Sequence, residues 1–151
     1  MRIEMGGEST LSPDQVVAAL IDFSERRPQM WTGITPSYYE VYSVGENEAH
    51  VREGTKQGPL EVWAKEHYEW KPGWVRWTVE EANFCTPGSY VEATITERPG
   101  GGSKIHTVWE RTPTTFMSRI IFGMMKLTGG KPIESSMRKG LANYERELSA
   151  S

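Results

Sequence analysis

The sequence predicts an α+β domain in which an antiparallel sheet is covered on one side by a long C-terminal helix. Three observations predict it: a capped amphipathic helix near the start, a central stretch alternating apolar and polar residues between regular turn signals, and an amphipathic helix at the end. With 151 residues, 37% of them hydrophobic, the chain is sized for a single domain over 1–151 with a substantial core.

Residues 2–10 read as a first strand, weakened or bulged at Gly6-Gly7. Ser12-Pro13-Asp14-Gln15 then combines an N-cap serine, a proline at the first helical position and a glutamine that completes a capping box. Val16, Val17, Ala19, Leu20 and Phe23 line one face of that helix, and Glu25-Arg26-Arg27-Pro28 is expected to end it, because a residue before proline avoids helical angles. Gln29-Met30-Trp31 reads as a second short helical turn. Six more strands follow at roughly 38–44, 48–56, 60–71, 73–83, 89–98 and 103–112, separated by Gly45-Glu46-Asn47, Gly58-Pro59, Pro72-Gly73, Thr86-Pro87-Gly88 and Pro99-Gly100-Gly101-Gly102. Connections this short between consecutive strands make an antiparallel meander. Phe116–Leu127 is an apolar segment, and Thr128-Gly129-Gly130-Lys131-Pro132 predicts a break or kink after it. Ile133, Met137, Leu141, Tyr144 and Leu148 then recur at helical spacing, which makes an amphipathic helix of about four turns.

Turn lengths also set the register. If Gly58-Pro59 and Pro72-Gly73 are two-residue hairpin loops, one face carries Val51, Glu53, Val62, Ala64, Glu66, Tyr68, Trp70, Val75, Trp77 and Val79, continued by Val91, Ala93, Ile95, Ile105, Thr107 and Trp109. The other face carries Arg52, Lys56, Glu61, Lys65, His67, Glu69, Arg76, Glu92, Lys104, His106 and Glu110, as expected of a sheet with one wet side and one covered side. Glu53 and Glu66 are the anomaly on the covered face, diagonal neighbours across one hairpin. A carboxylate in a covered, aromatic-lined space is costly unless paired, hydrated or neutral, so these two are the candidate general acid and base, or anchors for the polar end of a ligand. The plain alternative is that they sit where the sheet opens to water, or that a bulge reverses the phase.

Composition excludes several classes. A net charge of −3, from 17 basic and 20 acidic residues, argues against nucleic acid, and the pair Arg26-Arg27 is too short to count as a basic patch. No apolar run is long enough to insert into a membrane, and MRIEMGGEST lacks a secretory pattern, so a cytoplasmic location is expected. Cys85 is the single cysteine; no disulfide within the chain is possible and no base for a nucleophile is placed beside it. His50, His67 and His106 all fall on the outer face with no second ligand at helical or hairpin-motif spacing, so no metal and no cofactor are expected. Pro99-Gly100-Gly101-Gly102 lacks the lysine and following helix of a phosphate loop and reads as a hairpin tip.

The order of elements, together with Ser12-Pro13-Asp14-Gln15-Val16-Val17-Ala18-Ala19-Leu20-Ile21-Asp22-Phe23 and the following Trp31, resembles the START/polyketide-cyclase superfamily, whose helix-grip fold is shared with the birch-pollen allergen. The resemblance spans essentially the whole chain. It implies a seven-stranded curved antiparallel sheet wrapped around the long C-terminal helix, two short helices between strands 1 and 2, and an elongated hydrophobic cavity. The Gly-rich first strand and the Gly129-Gly130 interruption depart from the pattern at the edge strand and the cavity mouth. Val51, Ala64, Tyr68, Val75, Trp77, Ala93, Ile95, Thr107 and Trp109 are then the candidate lining, with Met117, Ile121, Met124 and Met125 closing one end; as simple core residues they need no cavity. The superfamily hosts several activities. The expected function is binding or carriage of a lipid, sterol or aromatic polyketide by a monomer or homodimer. The alternatives are a polyketide cyclase/dehydratase using Glu53 and Glu66, and an interaction domain whose cavity is filled.

Overall fold

Turn residues place the strands almost to the residue. In the computed structural model, which describes residues 1–150, the elements are β1 (Arg2–Ser9), α1 (Pro13–Leu20), α2 (Arg27–Met30), a 3-10 turn (Pro36–Tyr38), β2 (Glu40–Val44), β3 (Glu48–Gln57), β4 (Leu60–Lys71), β5 (Trp74–Ala82), β6 (Tyr90–Glu97), β7 (Ser103–Glu110), α3 (Phe116–Leu127) and α4 (Lys131–Ala150). Gly58 and Gly73 take φ of 57° and 72° in the hairpin turns, a backbone region open to glycine at little steric cost. The seven strands form one antiparallel sheet in the order β1-β7-β6-β5-β4-β3-β2.

The register is the one the turns demand. Glu53 lies opposite Ala64, Val51 opposite Glu66, and Tyr68 opposite Trp77. Two shifts intervene: β2 shifts against β3 between Val41 and Ser43, and on the central strands Glu66 pairs with Val79 but Ala64 pairs with Ala82, so β5 carries an extra residue. Unbroken alternation from Val79 would have turned Glu81 inward; with the bulge Glu81 is exposed and pairs with Lys65 at 3.3 Å. At Gly6-Gly7 no bulge forms. All eight residues of β1 pair in register with β7, and Ile3 and Met5 enter the core.

Both helices after β1 differ from the reading based on Pro28. The capping box is present, with Gln15 N donating to Ser12 Oγ and Ser12 N to Gln15 Oε1, but α1 stops at Leu20 and Pro28 lies inside the first turn of α2. The Arg27 guanidinium, donating to the carbonyls of Leu20 (2.9 Å) and Asp22 (3.1 Å), caps the end of α1 in place of further helical bonds. α4 crosses the covered face against β1, α1 and α2, and Asn143 Nδ2 donates to Met30 O at 2.8 Å to tie it to α2. Gly129 and Gly130, at φ 67° and 80°, make the expected break between α3 and α4.

The core has two parts. Val16, Leu20, Val51, Tyr68, Val75, Ile95 and Leu141 pack beneath α1 and α4; Ile3, Ala64, Val79, Val91, Trp109 and Phe122 pack beneath α3. α3 turns Phe122 to the sheet, edge-on to Trp109 with ring centroids 4.7 Å apart, and Ile121 and Met125 join it. Met117 and Met124 fall on its opposite face, 59% and 62% exposed, so they do not close a cavity end.

Candidate functional site

The curvature of the sheet leaves a gap between β3, β4 and β5 on one side and α2 and α4 on the other. A cavity of about 170 Å³ lies there, lined by Leu20, Arg27, Trp31, Ile34, Glu53, Tyr68, Trp77, Ile133, Ser136 and Met137. Alternation brings Glu53, Tyr68 and Trp77 to it. The other walls come from the end of α1, α2, the loop after it and α4, on segments that strand periodicity cannot orient. A smaller cavity of about 60 Å³ lies between β1, β7 and α4, and Thr107 lines it with Met5, Ile105 and Leu141. Val51, Ala64, Val75, Ala93, Ile95 and Trp109 are buried in the core and line neither cavity.

Apart from Ser136 on α4, the polar groups of the larger cavity are concentrated at one wall. Arg27, only 4% exposed, donates from Nε to Glu53 Oε1 at 2.8 Å and from Nη2 to the Tyr68 hydroxyl at 3.1 Å. Tyr68 OH in turn donates to the same Glu53 Oε1 at 3.0 Å. With the bonds to Leu20 O and Asp22 O, four of the five guanidinium donors are used, and the guanidinium lies 4.8 Å from the Phe23 ring centroid. Burial works against the Arg27 charge, yet Glu53 and Tyr68 raise its pKa above the ordinary arginine value. Burial likewise pushes the Tyr68 hydroxyl well above the usual tyrosine range, so it stays a donor. Glu53 Oε2 accepts no hydrogen bond among the described residues.

Glu66 lies on the same face but in a different environment. It is 5% exposed and its Oε2 is 3.5 Å from Arg111 Nη2. Burial raises its pKa to about 7, and the like charge of Glu53 adds to the rise while Arg111 and Arg27 oppose it. Arg111 lies over the Phe84 and Trp109 rings, and its buried Nε has no hydrogen-bond partner. Two ion pairs thus lie against the covered sheet face: Arg27–Glu53, partly buried and reaching in from α2, and Arg111–Glu66, buried. Neither arginine is singled out by the sequence reading. There Arg27 is half of a short basic pair, although the proline after it does start a helix. Arg111 continues the inward parity of Ile105, Thr107 and Trp109 and is legible on that ground.

No protein-family model and no curated protein matches the sequence. Solved structures do. Protein TTHA0849 from Thermus thermophilus superposes with a TM-score of 0.76 at 18% identity, over 100% of this chain and 99% of that one. The Zhui aromatase/cyclase from Streptomyces sp. R1128 superposes with 0.76 at 10% identity, over 98% and 95%. A START superfamily protein from Mycobacterium smegmatis superposes with 0.68 at 10% identity, over 90% and 96%. At these identities the likeness speaks to architecture, and with the seven-stranded sheet and long C-terminal helix it establishes that this chain has the START-like helix-grip fold.

Proposed function

We propose that the chain binds a small, largely apolar molecule carrying one hydrogen-bond donor in the cavity beneath α4, as a carrier or sequestering protein. The observation that supports this most is the asymmetry of the cavity wall. Leu20, Trp31, Ile34, Trp77, Ile133 and Met137 supply apolar surface, Arg27, Glu53 and Tyr68 supply one charged, hydrogen-bonded corner, and Ser136 adds a hydroxyl from α4. A free Glu53 Oε2 beside a preformed network suits a ligand hydroxyl or N–H, which would enter without disturbing the bonds already made to Oε1. Volume favours a compact ligand: cavities near 150 Å³ hold one benzene-sized molecule. A sterol or multi-ring polyketide needs Trp31 or α4 to move outward. Among the described residues no helix is long and apolar enough to cross a membrane.

A cyclase reaction is the second reading, favoured by Glu66. With a pKa raised to about 7 it is suited to proton transfer near neutrality, and the Zhui aromatase/cyclase has the same fold. Against it, Glu66 does not line the larger cavity and Glu53 is held in an ion pair, which suits recognition better than proton transfer.

Thermal melts and tryptophan fluorescence with p-cresol, indole and toluene distinguish these readings. Binding to the native state raises the melting temperature. p-Cresol is expected to bind more tightly than toluene, with about a tenfold preference that Glu53→Gln reduces. Absence of any stabilisation by ligands of this size overturns the carrier reading in favour of a filled interior. Native mass spectrometry of gently purified protein then identifies what the cavity retains.

A further inference from the structure

The outer face of the sheet holds a second cluster, unconnected to the cavity. His50 in β3 and His67 in β4 are direct cross-strand partners, their rings stacked with centroids 4.4 Å apart and planes 3° from parallel. Two residues before His50 on the same face, Glu48 places Oε1 3.6 Å from His50 Nε2 and 3.7 Å from His67 Nε2. One donor atom from each of the three residues lies within 4.8 Å of the others. Atoms coordinating one tetrahedral zinc-sized ion at about 2.0–2.2 Å lie roughly 3.3–3.5 Å apart, so closure needs a few tenths of an ångström at Glu48 and a rotation of the stacked imidazoles about χ2 that turns both Nε2 lone pairs toward one ion.

Two further observations favour coordination by these atoms. His67 Nε2 is buried and makes no hydrogen bond, a cost that coordination would remove. His50 Nδ1 is 2.8 Å from Glu80 Oε1, the outer carboxylate partner that fixes an imidazole with its Nε2 lone pair free for a metal. Glu69 stands 4.0 Å from His67 Nδ1, beyond hydrogen-bond distance, and would have to move closer to play the same part. The nearby cations are engaged elsewhere: Arg52 with Glu40, Lys65 with Glu81, and Arg76 with Glu92. Among the described residues, Glu48 has no ion-pair partner except the two imidazoles.

We infer that Glu48, His50 and His67 form a surface site for a divalent transition-metal ion of the zinc class, with the fourth position open to water or an incoming ligand. Two imidazoles and one carboxylate are borderline donors that favour zinc, nickel or copper over calcium or magnesium. His50 and His67 lie eight positions to either side of the Gly58-Pro59 turn, so a cross-strand pair stands in for the helical spacing of commoner motifs.

The test is calorimetric titration of zinc chloride into the full chain after EDTA treatment and buffer exchange. One zinc per chain is expected, with a dissociation constant in the micromolar range. His50→Ala and His67→Ala should each weaken binding at least a hundredfold, and Glu48→Gln about tenfold. His106→Ala, on the same face but paired with Glu4, should change nothing. Magnesium should give no saturable heat. Binding that survives the double variant His50→Ala/His67→Ala, or a wild-type chain that takes up no zinc, overturns the site. Imidazole NMR of the wild-type chain during zinc addition provides a readout independent of variant folding. Shifts confined to His50 and His67 support the site, and shifts centred on His106 refute it.

Discussion

Arg27 shows how one side chain serves fold and site together. It caps the end of α1, holds Glu53 through Nε and orients Tyr68 through Nη2, while almost entirely removed from water. Removing one member of a buried ion pair leaves the other uncompensated, at a cost of about 3–5 kcal/mol. Glu53→Ala is therefore expected to lower stability by that order in urea unfolding. The double substitution Arg27→Met/Glu53→Leu should cost distinctly less than the sum of the single changes, because neither charge is stranded. Equal costs for the double change and the summed single changes would show that the pair is not coupled. At this scale strand parity carries much of the site: it places Glu53, Glu66, Tyr68 and Trp77 on the covered face. Parity has no reach into α2, from which Arg27 approaches the Glu53 carboxylate across 26 residues of sequence. The histidine pair follows from the same register, since a two-residue Gly58-Pro59 loop puts His50 directly opposite His67, although a search for ligands at motif spacing passes over it.

The sheet elements are legible because glycine and proline punctuate them, and α4 because its apolar residues keep one period. What escapes is local adjustment. The β5 bulge keeps Glu81 in water, and α1 stops early where the Arg27 guanidinium, five to seven residues on, takes the carbonyls of Leu20 and Asp22; neither adjustment follows from helix or strand periodicity. α4 carries a further adjustment at Gly140, which is buried against the face of Trp31; an added Cβ there would overlap the ring. Two effects compete in Gly140→Ala. Helix propensity favours alanine by about 1 kcal/mol, whereas overpacking costs about 1–3 kcal/mol. Trp31 is also held by its Nε1 bond to Ala19 O, so it does not yield freely and the steric effect should win. The variant is expected to melt several degrees lower and to bind p-cresol more weakly, since the displaced ring is a wall of the cavity. A higher melting temperature would show that the ring moves aside without cost.

At the scale of the whole molecule, the covered face carries two arginines and two carboxylates in a chain whose net charge is −3. Burying Glu66 makes the stability of the molecule depend on pH. Its pKa rises from 4.5 to about 7 on folding, so the folded chain holds a proton over a range in which the unfolded chain has lost it. The sign follows from linkage: this contribution is complete below about pH 4.5 and disappears as the pH rises through 7. His50, raised mainly by its bond to Glu80, acts in the same direction, with stability lost as the pH rises through its folded pKa. A pH profile of the wild-type chain therefore combines both groups. Glu66→Gln separates them, because glutamine resembles the neutral acid at every pH. Whatever its offset from removing the partner of Arg111, the variant should lose less stability than the wild-type chain between pH 5 and pH 8, a difference of a few degrees in melting temperature. Parallel profiles would mean that Glu66 keeps an ordinary carboxylate pKa beside Arg111. The ion pair would then dominate burial, and the proton-transfer role on which the cyclase reading depends would lose its support.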